Sequence, residues 1–500
     1  MNAPLRKAGV VILVLFGLLF ANLNWVQAYK ADDYRTSDYN GRVQVAEYEV
    51  PRGVIEAGGR PLAESKPTDG TLKYLRVYPE KQVYAPVIGY KPVNLEKVGI
   101  ERSENDFLSG ASDKLLADRI SAMFTGEQPG GGNVVLSIKP KAQEVAWKQL
   151  TRNQSGATKG SAVAIDPRTG AIQAMVSMPS FDPNPLASHD NKAATAAYNE
   201  LNKDKDKPLL NRATSEIYPP GSVMKVIMSS AALKNGYEPD TEIEAGPSYT
   251  APGAGKEIRN AAPSVCPEAQ VTLKQALTES CNTGFARLGV KLGGDTVKQE
   301  ARDWGFEQDD LTIGNLKGGG LPVVTSHTGE MQNPDGSIDQ AALAQSSIGQ
   351  NEVRMTSVQG ALMAATVANG GQQMRPYLVQ QLLSADRRPI YNANPETLRT
   401  PINDDVAGRL KDMMVSVVEN GTGTQAQIEG YEVGGKTGTA ENGEGEDPHG
   451  WFIGFAFDGK GQPVSAVCVM MERVPAAHGS SEAARIGGLI MKAAAGGGGD

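Results

Sequence analysis

Strand-like runs sit at two places far apart in this chain of 500 residues, and their separation constrains the fold more than any other feature. Residues 161–166 (SAVAID) and 171–177 (AIQAMVS) are short and apolar, and Pro167-Arg168-Thr169-Gly170 between them is a turn sequence. Helical patterns then take over at 222–233, 273–277, 282–292, 357–368 and 406–418. Strand character returns at 433–440, 451–457 and 464–472, and a helical pattern near 481–495 closes the chain. Strands at both ends of a helical middle predict an α+β fold (α/β mixed), with one antiparallel sheet flanked by helices.

The segment before 161 reads differently. A strand-like alternation spans 43–50 and ends at Pro51-Arg52-Gly53. A charged helical stretch follows near 113–123, then a strand at 134–138 and a helix at 141–150. Residues 153–160 (NQSGATKG) are rich in turn formers and set the expected boundary, giving an N-terminal unit at 40–155 and a larger one at 156–495. Ahead of both, Arg6-Lys7 precedes an apolar run over 8–21 that continues more weakly to Ala28. A cleaved export signal fits the uninterrupted core, and a membrane-spanning anchor at 8–28 fits the whole run. Either way residues 1–7 stay inside and the rest of the chain is exported.

Composition excludes several classes. Net charge is −8 with no basic block, which argues against nucleic acid as a partner. The four histidines (His189, His327, His449, His478) are scattered without ligand spacing, so neither a metal site nor a cofactor is expected. Export permits disulfides. Of Cys266, Cys281 and Cys468, the last lies in an apolar strand-like run and reads as a buried thiol; Cys266 and Cys281 flank a helical stretch and are the expected bridge.

Three strings carry chemistry. In Ser222-Val223-Met224-Lys225, the lead-in Tyr218-Pro219-Pro220-Gly221 places the serine at a helix start, where free N–H groups favour an anion. Lys225 lies one turn on, on the same face, within reach of the Ser222 hydroxyl. As a base it must be partly neutral, which burial and a second cation, Lys436, would favour. In Ser280-Cys281-Asn282, the serine can relay a proton and the amide can hold a peptide backbone. The plainer reading of these two is a helix N-cap, and both can hold. In Lys436-Thr437-Gly438-Thr439, on a strand pattern, the hydroxyls and ammonium suit a carboxylate, Gly438 leaves room for a ligand, and the Thr439 N–H faces the Ser222 N–H as a second oxyanion donor. A peptide could pair with such an edge. Residues 430–437 also fit the phosphate-binding pattern G-x-x-x-x-G-K-[ST], but the glycine- and proline-rich sequence after them does not make the required helix.

Taken in order, the three strings resemble those of the penicillin-binding proteins, specifically class B, the monofunctional transpeptidases. Arg52-Gly53 resembles the family's early motif in a pedestal domain, and Gly421-Thr422-Gly423-Thr424 and the stretch from His449 to Gly454 are family-like. The short pedestal and the lack of C-terminal repeats resemble the actinobacterial penicillin-binding protein A branch. The resemblance implies a transpeptidase domain at 156–495 on a dimerisation-like pedestal, and favours the anchor over the cleaved signal, hence a single-pass protein of the cytoplasmic membrane with its catalytic domain outside. It implies Ser222 as acylated nucleophile, Lys225 as its base, Ser280 and Asn282 as proton-transfer and substrate residues, and Lys436, Thr437, Gly438 and Thr439 as the carboxylate-binding strand. Implied partners are D-Ala-D-Ala stem peptides, β-lactams, the membrane, a lipid-linked glycan polymerase and division proteins. The rival enzymes are a D,D-carboxypeptidase and a serine β-lactamase. No E-x-x-x-N string lies between Asn282 and Lys436 to activate a deacylating water. A β-lactam sensor is the non-enzymatic alternative, and such sensors usually need several spans.

Overall fold

A computed structural model describes residues 3–30, 34, 47–125, 130–441, 443, 445–475 and 478–496. Helix α1 (Ala3–Asn24) and the turn after it carry a stretch, Arg6–Tyr29, long and apolar enough to cross a membrane, with a mean hydropathy of 2.2 and no part of it buried. Of the strand-like alternation expected at 43–50, residues 43–46 lie outside the described residues, and 47–50 form a turn rather than a strand.

The first folded unit is a mixed sheet. Strands β1 (Ile55–Ala57), β2 (Arg60–Pro67) and β3 (Tyr74–Val77) form an antiparallel run, and β4 (Asn133–Leu136) pairs with β1 in parallel. The sheet is six-stranded because two strands from much later in the chain extend it beyond β4. Its polar heart is ionic. Glu101 is fully buried and takes Arg52 Nε at 2.7 Å and Arg76 Nε at 2.6 Å. Burial pulls this carboxyl upward, but the two guanidiniums outweigh it and hold it at about 2.

Helix α2 (Pro140–Thr151) belongs to the second folded unit. Its buried face, Ala142, Ala146 and Leu150, joins the core made by the C-terminal helix and the second sheet. The expected boundary at 155 therefore cuts a helix away from the layer it packs in; turn-forming composition at 153–160 marks a connection inside the unit rather than its edge.

The second sheet has the expected form. Strands β5 (Gly160–Ile165) and β6 (Ile172–Met178) form a hairpin. The helical middle includes α3 (Met224–Lys234), α4 (Leu273–Glu279), α5 (Asn282–Leu292), α6 (Gly294–Asp303) and α7 (Ser357–Ala368). Strands β7 (Val379–Leu383) and β8 (Pro389–Asn392) leave to complete the first sheet, β7 pairing antiparallel with β4. Helix α8 (Asp404–Asn420) leads back to β9 (Glu432–Ala440), β10 (His449–Phe457) and β11 (Pro463–Met471), and α9 (Gly479–Ala494) closes the fold. The sheet is antiparallel throughout, in the order β9-β10-β11-β5-β6. Helix α7 is apolar all round and buried at every position, so it can only be a central helix, and it packs on one face of the sheet. Helices α9 and α2 cover the other face. The order leaves β9, the strand with Lys436, at an edge.

Candidate active site

The nucleophile turn is built by steric exclusion. Gly221 has φ of +53°, and a Cβ there would stand 2.4 Å from the Thr439 carbonyl oxygen. Its N–H donates to the Gly349 carbonyl at 3.0 Å, and Trp451 Nε1 donates to the Pro219 carbonyl at 2.9 Å. The Pro-Pro-Gly segment is thus clamped between the loop before α7 and strand β10. Ser222 sits in a single 3₁₀ turn, Gly221–Val223, that runs into α3. It is half-buried, whereas Lys225 is fully buried.

Lys225 Nζ donates to the Ser280 carbonyl at 2.8 Å, to Ser280 Oγ at 3.3 Å and to Asn282 Oδ1 at 2.7 Å. Among the described residues it makes no hydrogen bond to Ser222, the contact its position one turn on suggests. Hydrogen bonds of this kind often tighten only with substrate present. Burial lowers the Lys225 ammonium to about 7. Lys436, also fully buried, donates to Ser280 Oγ at 2.9 Å and to the Thr437 carbonyl at 3.0 Å. It is pushed well below the usual lysine range, first by burial and then by Lys225. The second-cation effect expected at Lys225 therefore falls on Lys436. The two lysines share one hydroxyl, Ser280 Oγ.

Ser280 has φ of +64°, a left-handed conformation that is uncommon outside glycine and costs about 1–2 kcal/mol. The turn is held from both sides: its N–H donates to the Leu277 carbonyl at 3.2 Å and its carbonyl accepts from Lys225. The capping role that competed for Ser280 and Asn282 belongs to another residue. Asn260 Oδ1 accepts from the Asn282 N–H at 2.8 Å and from the Thr283 N–H at 3.1 Å, satisfying the first donors of α5. Asn260 is a lone asparagine in a loop, and no local signal in the sequence marks it. Asn282 Nδ2 is itself engaged, donating to the Arg259 carbonyl at 2.9 Å.

On β9, Thr437 Oγ1 lies 2.5 Å from Thr422 Oγ1, which orients the first threonine hydroxyl of the strand. The space that Gly438 vacates is occupied by the chain itself. A Cβ there would meet the Pro220 carbonyl oxygen at 2.6 Å and Val223 Cγ2 at 3.0 Å, so this glycine lets the strand press on the nucleophile turn rather than opening room for a ligand. The carbonyl of Thr439 faces Gly221, away from β10. Its N–H shares that direction, because N–H and C=O of one strand residue point the same way. The strand continues straight through Lys436 to Ala440, where the phosphate-loop pattern needs a helix, so that reading fails on geometry.

The expected Cys266–Cys281 disulfide is not formed: both residues are buried free thiols, as is Cys468. They are nevertheless neighbours. Each perturbs the other, lowering the Cys281 thiol and raising that of Cys266, and the Cys266 N–H donates to Glu279 Oε2 at 3.1 Å. No cluster of metal-ligating side chains occurs among the described residues.

The family model for the penicillin-binding protein transpeptidase domain matches residues 160–492, and that for the penicillin binding protein A dimerisation domain matches 52–134. The chain is 42% identical to the peptidoglycan D,D-transpeptidase PbpA of Mycolicibacterium smegmatis over 99% of both chains. It is 38% identical to the enzyme of the same name from Mycobacterium tuberculosis, again over 99% of both. Among solved structures, it resembles the ceftriaxone acyl-enzyme complex of M. tuberculosis penicillin-binding protein A, with a TM-score of 0.84 over 90% of this chain and 99% of that one at 38% identity. The penicillin G acyl-enzyme of the same protein gives 0.81 at 38% identity, over 89% of this chain and 99% of that one. With a family model spanning most of its length and relatives of this similarity, the chain belongs to the class B penicillin-binding proteins, the serine D,D-transpeptidases, in the branch of the actinobacterial A-type proteins.

Proposed function

We propose that this protein is a peptidoglycan D,D-transpeptidase working through an acyl-serine, with Ser222 as nucleophile and Lys225 as base. The observation that carries the reading is the convergence of Lys225, Lys436, Ser280 and Asn282 within hydrogen-bond distance beside the Ser222 turn. The Ser222 hydroxyl attacks the penultimate D-Ala carbonyl and gives its proton to the neutral Lys225 amine. The oxyanion is stabilised by the N–H groups of Ser222 and Thr439. Collapse breaks the C–N bond, and the proton passes by way of Ser280 to the departing D-Ala amine. An acceptor amine then attacks the ester, its proton returns to Lys225 or Ser280, and the Ser222 hydroxyl is restored. Thr437 and Thr439 hold the substrate carboxylate. Lys436 is too buried to meet it directly and acts through Ser280. A β-lactam enters the same first step and remains as an acyl-serine, because no carboxylate is placed by the E-x-x-x-N pattern to activate water.

We read the N-terminal span as a single-pass anchor, Arg6 and Lys7 inside, with a pedestal and a transpeptidase unit outside. The pedestal is the 40–155 region less helix α2, which goes with the catalytic unit. A lipid-linked glycan polymerase and division proteins are the partners this placement favours. In an oxidising exterior, where disulfides are permitted, the neighbouring Cys266 and Cys281 are the pair to form the bridge that restrains the Ser280 turn. Non-reducing peptide mapping of exported protein tests this, and finding both cysteines alkylatable would refute it. The function is tested by following the β-lactam adduct in time and measuring D-Ala release with and without an amine acceptor. A long-lived adduct and acceptor-dependent cross-linked product are expected. Adduct loss within seconds, with water as the only acceptor, would instead indicate a β-lactamase or carboxypeptidase.

A further inference from the structure

A neutral lysine amine has two N–H donors and one lone pair, and only the lone pair can take a proton. The groups around Nζ decide which way it faces. Two of those around Lys225, the Ser280 carbonyl at 2.8 Å and Asn282 Oδ1 at 2.7 Å, can only accept. With one N–H held by each, the lone pair is left for a hydroxyl. This arrangement requires Asn282 to turn its oxygen, and not its NH2 group, toward Nζ.

A side-chain amide flips with little change of shape, so its orientation is set by its other partners. Two adjacent loop residues set that of Asn282. The Arg259 carbonyl accepts from Asn282 Nδ2 at 2.9 Å, a contact only the nitrogen can make, and this leaves Oδ1 for Lys225. Asn260 Oδ1 accepts the Asn282 N–H at 2.8 Å and the Thr283 N–H at 3.1 Å, which fixes the backbone that carries the amide. The other end of the Asn260 side chain is spent on its own loop. Its Nδ2 donates to the Gly246 carbonyl at 3.1 Å and to the Val265 carbonyl at 2.9 Å. One asparagine thus closes the 246–265 loop at its base and holds the Arg259 carbonyl of that loop against the Asn282 amide.

We propose that Asn260 is a positioning residue for acylation: by fixing the start of α5 against the Arg259 carbonyl, it sets which end of the Asn282 amide faces Lys225 and so aims the lone pair of the base. It acts through Asn282. The two ends of its side chain divide the work, Oδ1 serving the base and Nδ2 serving the loop. The inference rests on the reading of Lys225 as base and deepens it.

Substitution separates the two ends. The test uses the full-length protein in detergent and follows acylation by a labelled penicillin at pH 9, above the Lys225 titration at about 7. The rate constant is read per acylating molecule, and Tm is measured alongside. Asn260→Asp keeps an acceptor for both N–H groups and loses the donor to both carbonyls. It should lower Tm yet acylate within about threefold of the unsubstituted rate, because a carboxylate oxygen accepts helix-start N–H groups as well as an amide oxygen does. Asn260→Ala loses both ends and should acylate at least about tenfold more slowly. Thr283→Val removes a hydroxyl bonded to the Gly246 carbonyl at 2.7 Å and to Asn260 Nδ2 at 3.2 Å, and leaves Asn260 Oδ1 its two N–H groups. It should lower Tm and keep the acylation rate. An aspartate variant as slow as the alanine one, an alanine variant at the unsubstituted rate, or a Thr283→Val loss equal to that of Asn260→Ala would overturn the positioning role. Asn260→Gln, which shifts both ends by one methylene, replaces an alanine variant that does not fold. It should slow acylation at least about threefold, and an unchanged rate would overturn the inference equally. Lys225→Arg is run in parallel. A rate equal to the unsubstituted one there would strike the base reading itself, whereas a slow Lys225→Arg beside an unaffected Asn260→Ala would remove this inference alone.

Discussion

Lys225 works as a base only if Ser222 finds it as an amine, and its surroundings arrange this. Burial holds the ammonium at about 7, below its ordinary 10.5, so the neutral form dominates above that pH. The rate of acylation by a β-lactam should therefore rise roughly tenfold per pH unit below about 7 and level off above it. A stopped-flow pH profile checks this, and a flat profile between pH 5 and 9 would contradict it. Lys225→Arg keeps the charge at every accessible pH and should cost about 10²–10⁴ in acylation rate. The start of α3 at the Ser222 turn, with Lys225 one turn on, and the strand that carries Lys436 were legible in the sequence because spacing and the Pro-Pro-Gly lead-in are local. The role of Gly438 was not, since its constraint is the Pro220 carbonyl, a contact between distant segments. Gly438→Ala should misplace the turn by a substantial fraction of an ångström and cost about 100-fold in acylation with little change in fold, read by labelled-penicillin kinetics alongside circular dichroism.

Elements with their own start signals were legible nearly to the residue. Helix α5 begins at Asn282 and α7 at Ser357 as the sequence indicates. Strands β5, β6, β10 and β11 were equally clear because each is a largely apolar run, whereas β9 is rich in glycine and threonine. Strands β7 and β8 were missed: they are short, β7 takes its partner β4 from more than 200 residues earlier, and the mostly exposed β8 pairs onto β7, which no local pattern records. The Arg52-Glu101-Arg76 cluster was visible only at its Arg52-Gly53 end. Replacing Glu101 with Gln leaves two buried guanidiniums without a counter-charge and should destabilise the pedestal by about 3–5 kcal/mol, seen as a lowered Tm. Its pH sign comes from the same pair. The Glu101 carboxyl lies below its unfolded value, so its contribution is complete above about pH 4.5 and lost as pH falls toward 2. A Glu101→Gln protein as stable as the original would show that the cluster contributes little.

The two large sheets are sewn together by a chain that crosses between them more than once. Strands from the catalytic half complete the pedestal sheet, and a helix read as pedestal covers the catalytic sheet. Excising residues 40–155 should therefore give no independently folded pedestal, and a cooperative unfolding transition in that fragment would contradict this interlocking. The apolar N-terminal helix, exposed from Arg6 onward, should keep the protein in the membrane fraction through an alkaline carbonate wash, while a chain lacking residues 1–29 should be released. The central claim is narrower than the architecture around it: one serine, at the start of one buried helix, takes the acyl group. The most direct measurement is peptide-resolved mass spectrometry after incubation with a labelled penicillin. The account predicts a single adduct, on the peptide containing Ser222, that is absent from Ser222→Ala. An adduct that persists in Ser222→Ala, or that maps to another residue of the unsubstituted protein, would contradict it.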